Sequence, residues 1–250
     1  NNADKLKNQK MKIYLLVFVL SCSILCSENL FYSIKYMGIS ASKVSIDYCK
    51  CDSLNVITSY VKSRALTKFL YDLDNKYTVY SDSLFLTTKY LKDIDQGNYS
   101  EDRIITYNRE GKKANQFDTH NPSRNGEYDI TSGTRDFFSM LFYIRKLKGE
   151  LTGSADLDGS GTIWETHFEQ LGEEKISSCL GKINAIKVKF SFKKISEQIR
   201  PRSDLVTNNL FKEDNILYFW FSADERRIPL KAEFDRKPFS VYWRLINYEE

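Results

Sequence analysis

The stretch Leu217–Phe234 reads LYFWFSADERRIPLKAEF: an aromatic run, four consecutive charged residues, then a proline-led apolar segment. Aromatic residues favour strands, a charged tetrad suits a solvated turn, and proline is tolerated as the first residue of a strand. The stretch therefore predicts a β-hairpin. Its consecutive aromatics, Tyr218–Phe221, must point to both faces of a sheet in turn, so at least one aromatic face needs a cover.

The same period of two recurs along the chain. Tyr32, Ile34 and Tyr36 alternate with Ser33 and Lys35; Val44, Ile46 and Tyr48 with Lys43, Ser45 and Asp47; Ile186, Val188, Phe190 and Phe192 with Lys187, Lys189 and Ser191. Such alternation marks half-buried antiparallel strands. Further strands are expected at Asn55–Lys62, Lys76–Ser81, Thr87–Leu91, Arg103–Asn108, Thr162–Leu171, Lys175–Ser178, Ile216–Ser222, Leu230–Phe234 and Ser240–Tyr248. Two segments have helical spacing instead: Arg135–Leu147, with Phe137, Phe138, Leu141, Phe142 and Ile144 and with Thr134 available as N-cap, and a shorter one at Ser63–Leu73 with Leu66, Phe69 and Leu70. Phe117–Ile130 and Ser196–Asn209 read as polar loops. The expected fold is mainly β: a large curved antiparallel meander sheet, or incomplete barrel, with one or two short helices on its concave side.

The N-terminal region predicts the compartment. Met11 opens MKIYLLVFVLSCSILCSENL, with Lys12 ahead of an unbroken apolar run Ile13–Leu20 and small residues from Ser21, the order of a secretory signal peptide. The apolar run is well short of the roughly 20 residues of a spanning helix. Three segments follow: an upstream, non-native extension at 1–10, a signal peptide at 11–27, and a single β domain at 28–250. Cleavage after Ser27 and lipidation at Cys22, the cysteine of a partial lipobox Val19–Cys22, both fit. The expectation is an exported protein of the periplasm or envelope, touching membrane only through such an anchor. Beyond the leader lie Cys49, Cys51 and Cys179. Two apart on a strand, Cys49 and Cys51 are poorly placed to bond one another, which leaves a disulfide from either to Cys179, or free thiols.

Of 250 residues, 42% are apolar and 14% aromatic, enough for one large core, and a net charge of +4 spread in both signs argues against a nucleic-acid surface. The two histidines, His120 and His167, join no nucleophile or metal-ligand set, and no cofactor fingerprint appears. Asp156-Leu157-Asp158-Gly159-Ser160-Gly161 matches the start of a calcium loop, with Asp156, Asp158 and Ser160 as its ligands, but the closing twelfth position is His167 and a Gly-rich hairpin turn explains the same residues.

Four blocks, Tyr36–Ser42, Asp136–Arg145, Gly181–Val188 and Trp220–Pro229, within a similarity running from Leu30 to Tyr248, resemble a family of exported bacterial proteins known only as domain of unknown function 3108. The resemblance implies a large curved antiparallel sheet like that of periplasmic lipoprotein carriers and related envelope proteins, and no activity. A non-enzymatic envelope protein is expected. In one reading Phe137, Phe138, Phe142, Arg145, Trp220 and Arg227 contribute to a site for a lipid or other apolar ligand. In the other the concave face is filled by the protein's own helix and the partner is another envelope protein; a third reading is an enzyme acting on envelope glycans.

Overall fold

A computed structural model describes residues 27–51, 53–65, 67–68, 72–197, 204, 210–235 and 240–250. The leader, Cys22, the helical positions Leu66, Phe69 and Leu70, and most of the 196–209 stretch lie outside these residues. Fourteen strands are present: β1 (Ser27–Tyr36), β2 (Ile39–Cys51), β3 (Leu54–Ser63), β4 (Asp74–Ser81), β5 (Thr87–Gln96), β6 (Tyr99–Asn108), β7 (Lys113–Asp118), β8 (Gly126–Asp129), β9 (Gly153–Asp158), β10 (Ile163–Ser178), β11 (Gly181–Lys194), β12 (Ile216–Ser222), β13 (Pro229–Asp235) and β14 (Val241–Glu249). Among the described residues there is one α-helix, α1 (Phe137–Lys146).

All the strands belong to one antiparallel sheet in the order β8-β7-β6-β5-β4-β3-β2-β1-β14-β13-β12-β11-β10-β9. It is a pair of meanders joined where β1 pairs with β14, so the first and last strands lie inside the sheet and β8 and β9 form its edges. Tight hairpins make this possible. The β1–β2 turn places Met37 at φ 53° and Gly38 at φ 77°, the doubly left-handed turn that matches strand twist. The expected strands Thr162–Leu171 and Lys175–Ser178 are a single strand, β10, interrupted by a register shift between Gln170 and Gly172; Gly172 takes φ 141°, which a side chain would resist.

The sheet is not closed into a barrel by backbone pairing. Between its two edges runs the segment that carries α1. The extended residue Arg135 pairs in parallel with Leu157, its amide donating to the Asp156 carbonyl (2.8 Å) and its carbonyl accepting from Asp158 (2.7 Å). From β8, the Tyr128 hydroxyl donates across the seam to Asp158 (2.5 Å), and Tyr107 of β6 donates to the same carboxylate oxygen (2.8 Å).

Helix α1 lies inside the curve. Phe137, Phe138, Met140, Leu141, Phe142 and Ile144 are all at most 3% exposed, and a helix that is apolar nearly all round belongs in a core. Phe142 packs on Tyr48 (ring centroids 4.8 Å) and Phe85, Phe138 on Tyr77 (5.4 Å), and Phe137 on Phe211, Phe219 and Trp243. Each fully buried side chain of this size contributes about 2–3 kcal/mol. The N-cap is Asp136 rather than Thr134: its carboxylate accepts from the amides of Phe138 (2.8 Å) and Ser139 (3.1 Å), whereas the Thr134 hydroxyl accepts from the Thr131 amide. Both residue types cap helices, but only Asp136 directly precedes the first helical turn. At the other end the Arg145 guanidinium holds Glu28 of β1 in a two-pronged ion pair (2.5 and 3.1 Å) and donates to the Arg226 carbonyl.

The segment read as a second helix at Ser63–Leu73 begins as the end of β3, followed by a turn in which Thr67 and Lys68 donate to the Arg64 carbonyl. The loop read at Phe117–Ile130 holds the end of β7, a short 3₁₀ turn at Pro122–Arg124, and β8. The disulfide to Cys179 is not formed: Cys179 is an exposed thiol, and Cys51 takes part in a disulfide that does not involve it.

Burial pushes the Asp136 carboxyl above its ordinary 3.8, against hydrogen bonds from Ser139 and Thr87. The folded state therefore holds this proton more tightly than the unfolded chain, and the group favours folding at low pH and loses that contribution as pH rises through the raised value. Asp136→Asn is expected to remove this component, so the stability difference between wild type and variant, measured by urea unfolding, should shift against wild type as pH increases from 3.8. Asp136→Ala, which removes the cap as well as the titrating group, should cost about 2 kcal/mol at low pH, with the same fall as pH rises.

Candidate functional site

The inner face of the N-terminal meander carries a row of polar residues. Register places Ser59 opposite Tyr77, Tyr77 opposite Lys92, Lys92 opposite Arg103 and Arg103 opposite Asp118, so one band crosses five strands from β3 to β7. Every member is at most 1% exposed. The flanking row on one side adds Asn75 and Glu101, and the row on the other side Tyr90 and Gln116. Burying charge is costly unless it is paired, and the band is organised accordingly.

Lys92 is the centre. Its ammonium donates to Asp204 Oδ2 (2.8 Å) and Ser160 Oγ (2.6 Å), and stands 5.3 Å from the centre of the Tyr90 ring. The other Asp204 oxygen accepts from the Tyr77 hydroxyl (2.8 Å), which in turn receives Asn75 Nδ2 (3.2 Å). Burial first, then the Asp204 charge, raises the phenols of Tyr77 and Tyr90 well above their ordinary values, so both remain protonated donors. Next along the band, Arg103 lies 3.0 Å from Glu101 and 3.6 Å from Asp118. Glu101 is also reached by Tyr99 (2.5 Å) and Arg124 (3.7 Å), which ties this second cluster to the 3₁₀ turn.

A third cluster lies at the seam. Asp158 accepts from Tyr107, Tyr128 and the Gly161 amide (2.6 Å), while Asp156 accepts from the Thr131 hydroxyl (2.6 Å). These contacts support the hairpin-turn reading over the calcium alternative. The Ser160 hydroxyl already faces an ammonium, Asp158 is saturated by donors, and Ser160 and Gly161, at φ 63° and 92°, form a hairpin turn. Among the described residues no group of three or more metal-ligating side chains is gathered.

The six residues expected to line an apolar site are not brought together. Phe137, Phe138 and Phe142 fill the core, and Arg145 serves the helix end. Trp220 lies on the opposite face of β12 from Phe219, between Lys187 (4.9 Å) and Lys231 (3.9 Å), with its indole N–H on Glu174. Arg227 stands in the β12–β13 turn and donates to the Gly149 carbonyl (2.6 Å). Sequence reasoning passed over the polar band. Its signal was present at Lys92, which shares strand parity with Tyr90 and Ile94, and was missing at Asp204, set in a polar stretch with no period.

A family model described as "Protein of unknown function (DUF3108)" matches residues 32–238. The chain belongs to the DUF3108 family. No curated protein matches this DUF3108 chain. Among solved structures it is similar to a "beta-barrel-like protein" of domain of unknown function DUF1849 from Brucella abortus, at 12% identity and TM-score 0.61, covering 90% of this chain and 98% of that one. A Parabacteroides distasonis structure described as a "putative lipoprotein" matches at 12% identity and TM-score 0.34, covering 89% and 95% of the two chains. The DUF1849 likeness shows the fold alone.

Removing one partner of the central pair tests this geometry. Lys92→Met leaves Asp204 buried against Tyr77 without its cation and is expected to cost about 3–5 kcal/mol in urea unfolding. Lys92→Met combined with Asp204→Leu, which removes both charges, should recover most of that loss.

Proposed function

We propose that this protein is an exported, non-enzymatic component of the cell envelope that works as a protein-interaction module with a self-filled interior. One observation carries the reading: the concave side of the sheet, where an acyl chain would lie, is packed by the protein's own Phe137, Phe138 and Phe142. The lysine-led apolar leader at Met11–Ser27 supports export. The inward carboxylates Asp158, Asp204 and Asp136 are each held by two or more donors, which supports a scaffolding role for them over catalysis. On the outer face, Ile104 and Phe117 are cross-strand neighbours, 37% and 55% exposed, beside the edge strand β8, an apolar pair of the kind protein interfaces use.

Native mass spectrometry of the protein secreted in its host and purified without detergent is expected to give the bare chain mass, unchanged after incubation with host lipids. An acyl species that co-purifies with wild type and is lost in a folded Phe138→Asp variant would replace this reading with lipid carriage.

A further inference from the structure

We propose that the donors converging on Asp204 form a built binding site for a carboxylate or phosphate group, in which the chain's own carboxylate holds the place a ligand anion can take. The proposal concerns the polar band and goes beyond the interaction reading, which rests on helix α1.

Three features carry it. First, Asp204 is recognised as a bound anion would be: the Lys92 ammonium takes one oxygen and the Tyr77 hydroxyl the other, each at 2.8 Å. Both donors stand on neighbouring strands in direct register, and each is aimed by a further contact, Lys92 by Ser160 and Tyr77 by Asn75. Sites built on sheet and held by such supporting contacts are the precise ones. Asp204, by contrast, belongs to no strand or helix.

Second, the surroundings offer more than one carboxylate uses. The Tyr90 hydroxyl is buried without a hydrogen-bond partner, and its ring stands beside the Lys92 ammonium. Arg103, 1% exposed and directly across the ladder from Lys92, has Nε and Nη2 without well-formed hydrogen bonds, although Glu101 and Asp118 lie within ion-pair distance. A buried polar atom without a partner calls for water or a ligand.

Third, the site adjoins apolar surface, because the Phe138 ring packs on Tyr77 at 5.4 Å. The anion can therefore be free or the headgroup of an apolar molecule.

Chemical rescue tests the site directly. Asp204→Ala removes the carboxylate and keeps every donor. Its Tm is measured in sodium acetate, sodium decanoate below its micelle concentration, and inorganic phosphate, each against sodium chloride at matched ionic strength. Acetate or phosphate is expected to raise the Tm saturably, by about 5–10 °C near one hundred times Kd. Wild type, whose Asp204 competes for the same donors, should respond only at much higher concentration. The rise should vanish in Asp204→Ala/Lys92→Met. A larger effect of decanoate than of acetate identifies a lipid-borne headgroup, and an equal effect a free anion.

If Asp204→Ala is unfolded in chloride, recovery of folded protein by refolding in acetate or phosphate is the same test. A Tm in acetate and phosphate no different from chloride, a rise that survives Lys92→Met, or failure to refold in every anion would overturn the proposal. A decanoate preference would also predict an acyl adduct in the native mass, whereas failure of rescue by every anion leaves the bare-mass expectation untouched, so the failure of this proposal and that of the interaction reading are distinguishable.

Discussion

A curved open sheet cannot leave its concave apolar face wet, and in this protein a single crossing segment answers that constraint. The chain leaves edge strand β8, pairs briefly with edge strand β9 through Arg135, and then turns inward as helix α1. One connection thus covers part of an edge and fills the interior. The Asp136 cap sits at the change from extended to helical backbone, and Thr87 of β5 both donates to its carboxylate (2.7 Å) and accepts from its amide (2.8 Å). The helix entry is therefore fixed to the sheet by side chain and backbone together.

The interior has two characters. The C-terminal meander presents Phe168, Phe190, Phe219, Phe221 and Phe234 inward, in contacts such as Phe190 with Phe219 at 5.5 Å. The N-terminal meander presents the polar band. Area burial alone would favour aromatics throughout, and paired buried charges are weak contributors to stability. Their value lies in geometry: each ion pair and phenol–carboxylate contact is satisfied in one register only, whereas apolar packing tolerates slips. Long strands lined with Ser, Thr and Tyr need that discrimination more than strands lined with phenylalanine.

Periodicity made most of the sheet legible. Ile216–Ser222 is β12 as read, and the boundaries of β3, β4, β13 and β14 fall within two residues of expectation. What escaped did so for identifiable reasons. In β7, Ala114, Gln116 and Asp118 face inward while Phe117 faces out, so the usual link between hydrophobicity and burial is reversed; the pattern predicts no strand there, and the end of β7 falls within the expected loop. In β8 only Tyr128 is buried. Phe137, Phe138 and Phe142 of the expected ligand site do lie on the concave side and Trp220 does not, but sequence could not say whether α1 leaves room beside them. Trp220 and Phe219 are adjacent in sequence and on opposite faces, and no pattern within β12 shows which side is inside. The Lys92–Asp204 pair spans 112 residues and required the fold to be seen.

Of the thirteen strand pairings in the sheet, twelve join strands consecutive along the two meanders and one does not: Asn29 of β1 is opposite Glu249 of β14. Every other ladder joins strands consecutive in sequence and can form as the chain emerges, but this one must await the final strand. As the chain is laid down from its N-terminus, β1 to β8 can assemble as a sheet with one ragged side, yet the second edge of β1 remains a template until β14 arrives. Low loop-closure cost within each half and a high cost at their junction make the joining of the halves the slow event. During that interval the exposed edge of β1 is open to any passing strand, so mispairing of the folding chain is most to be expected there.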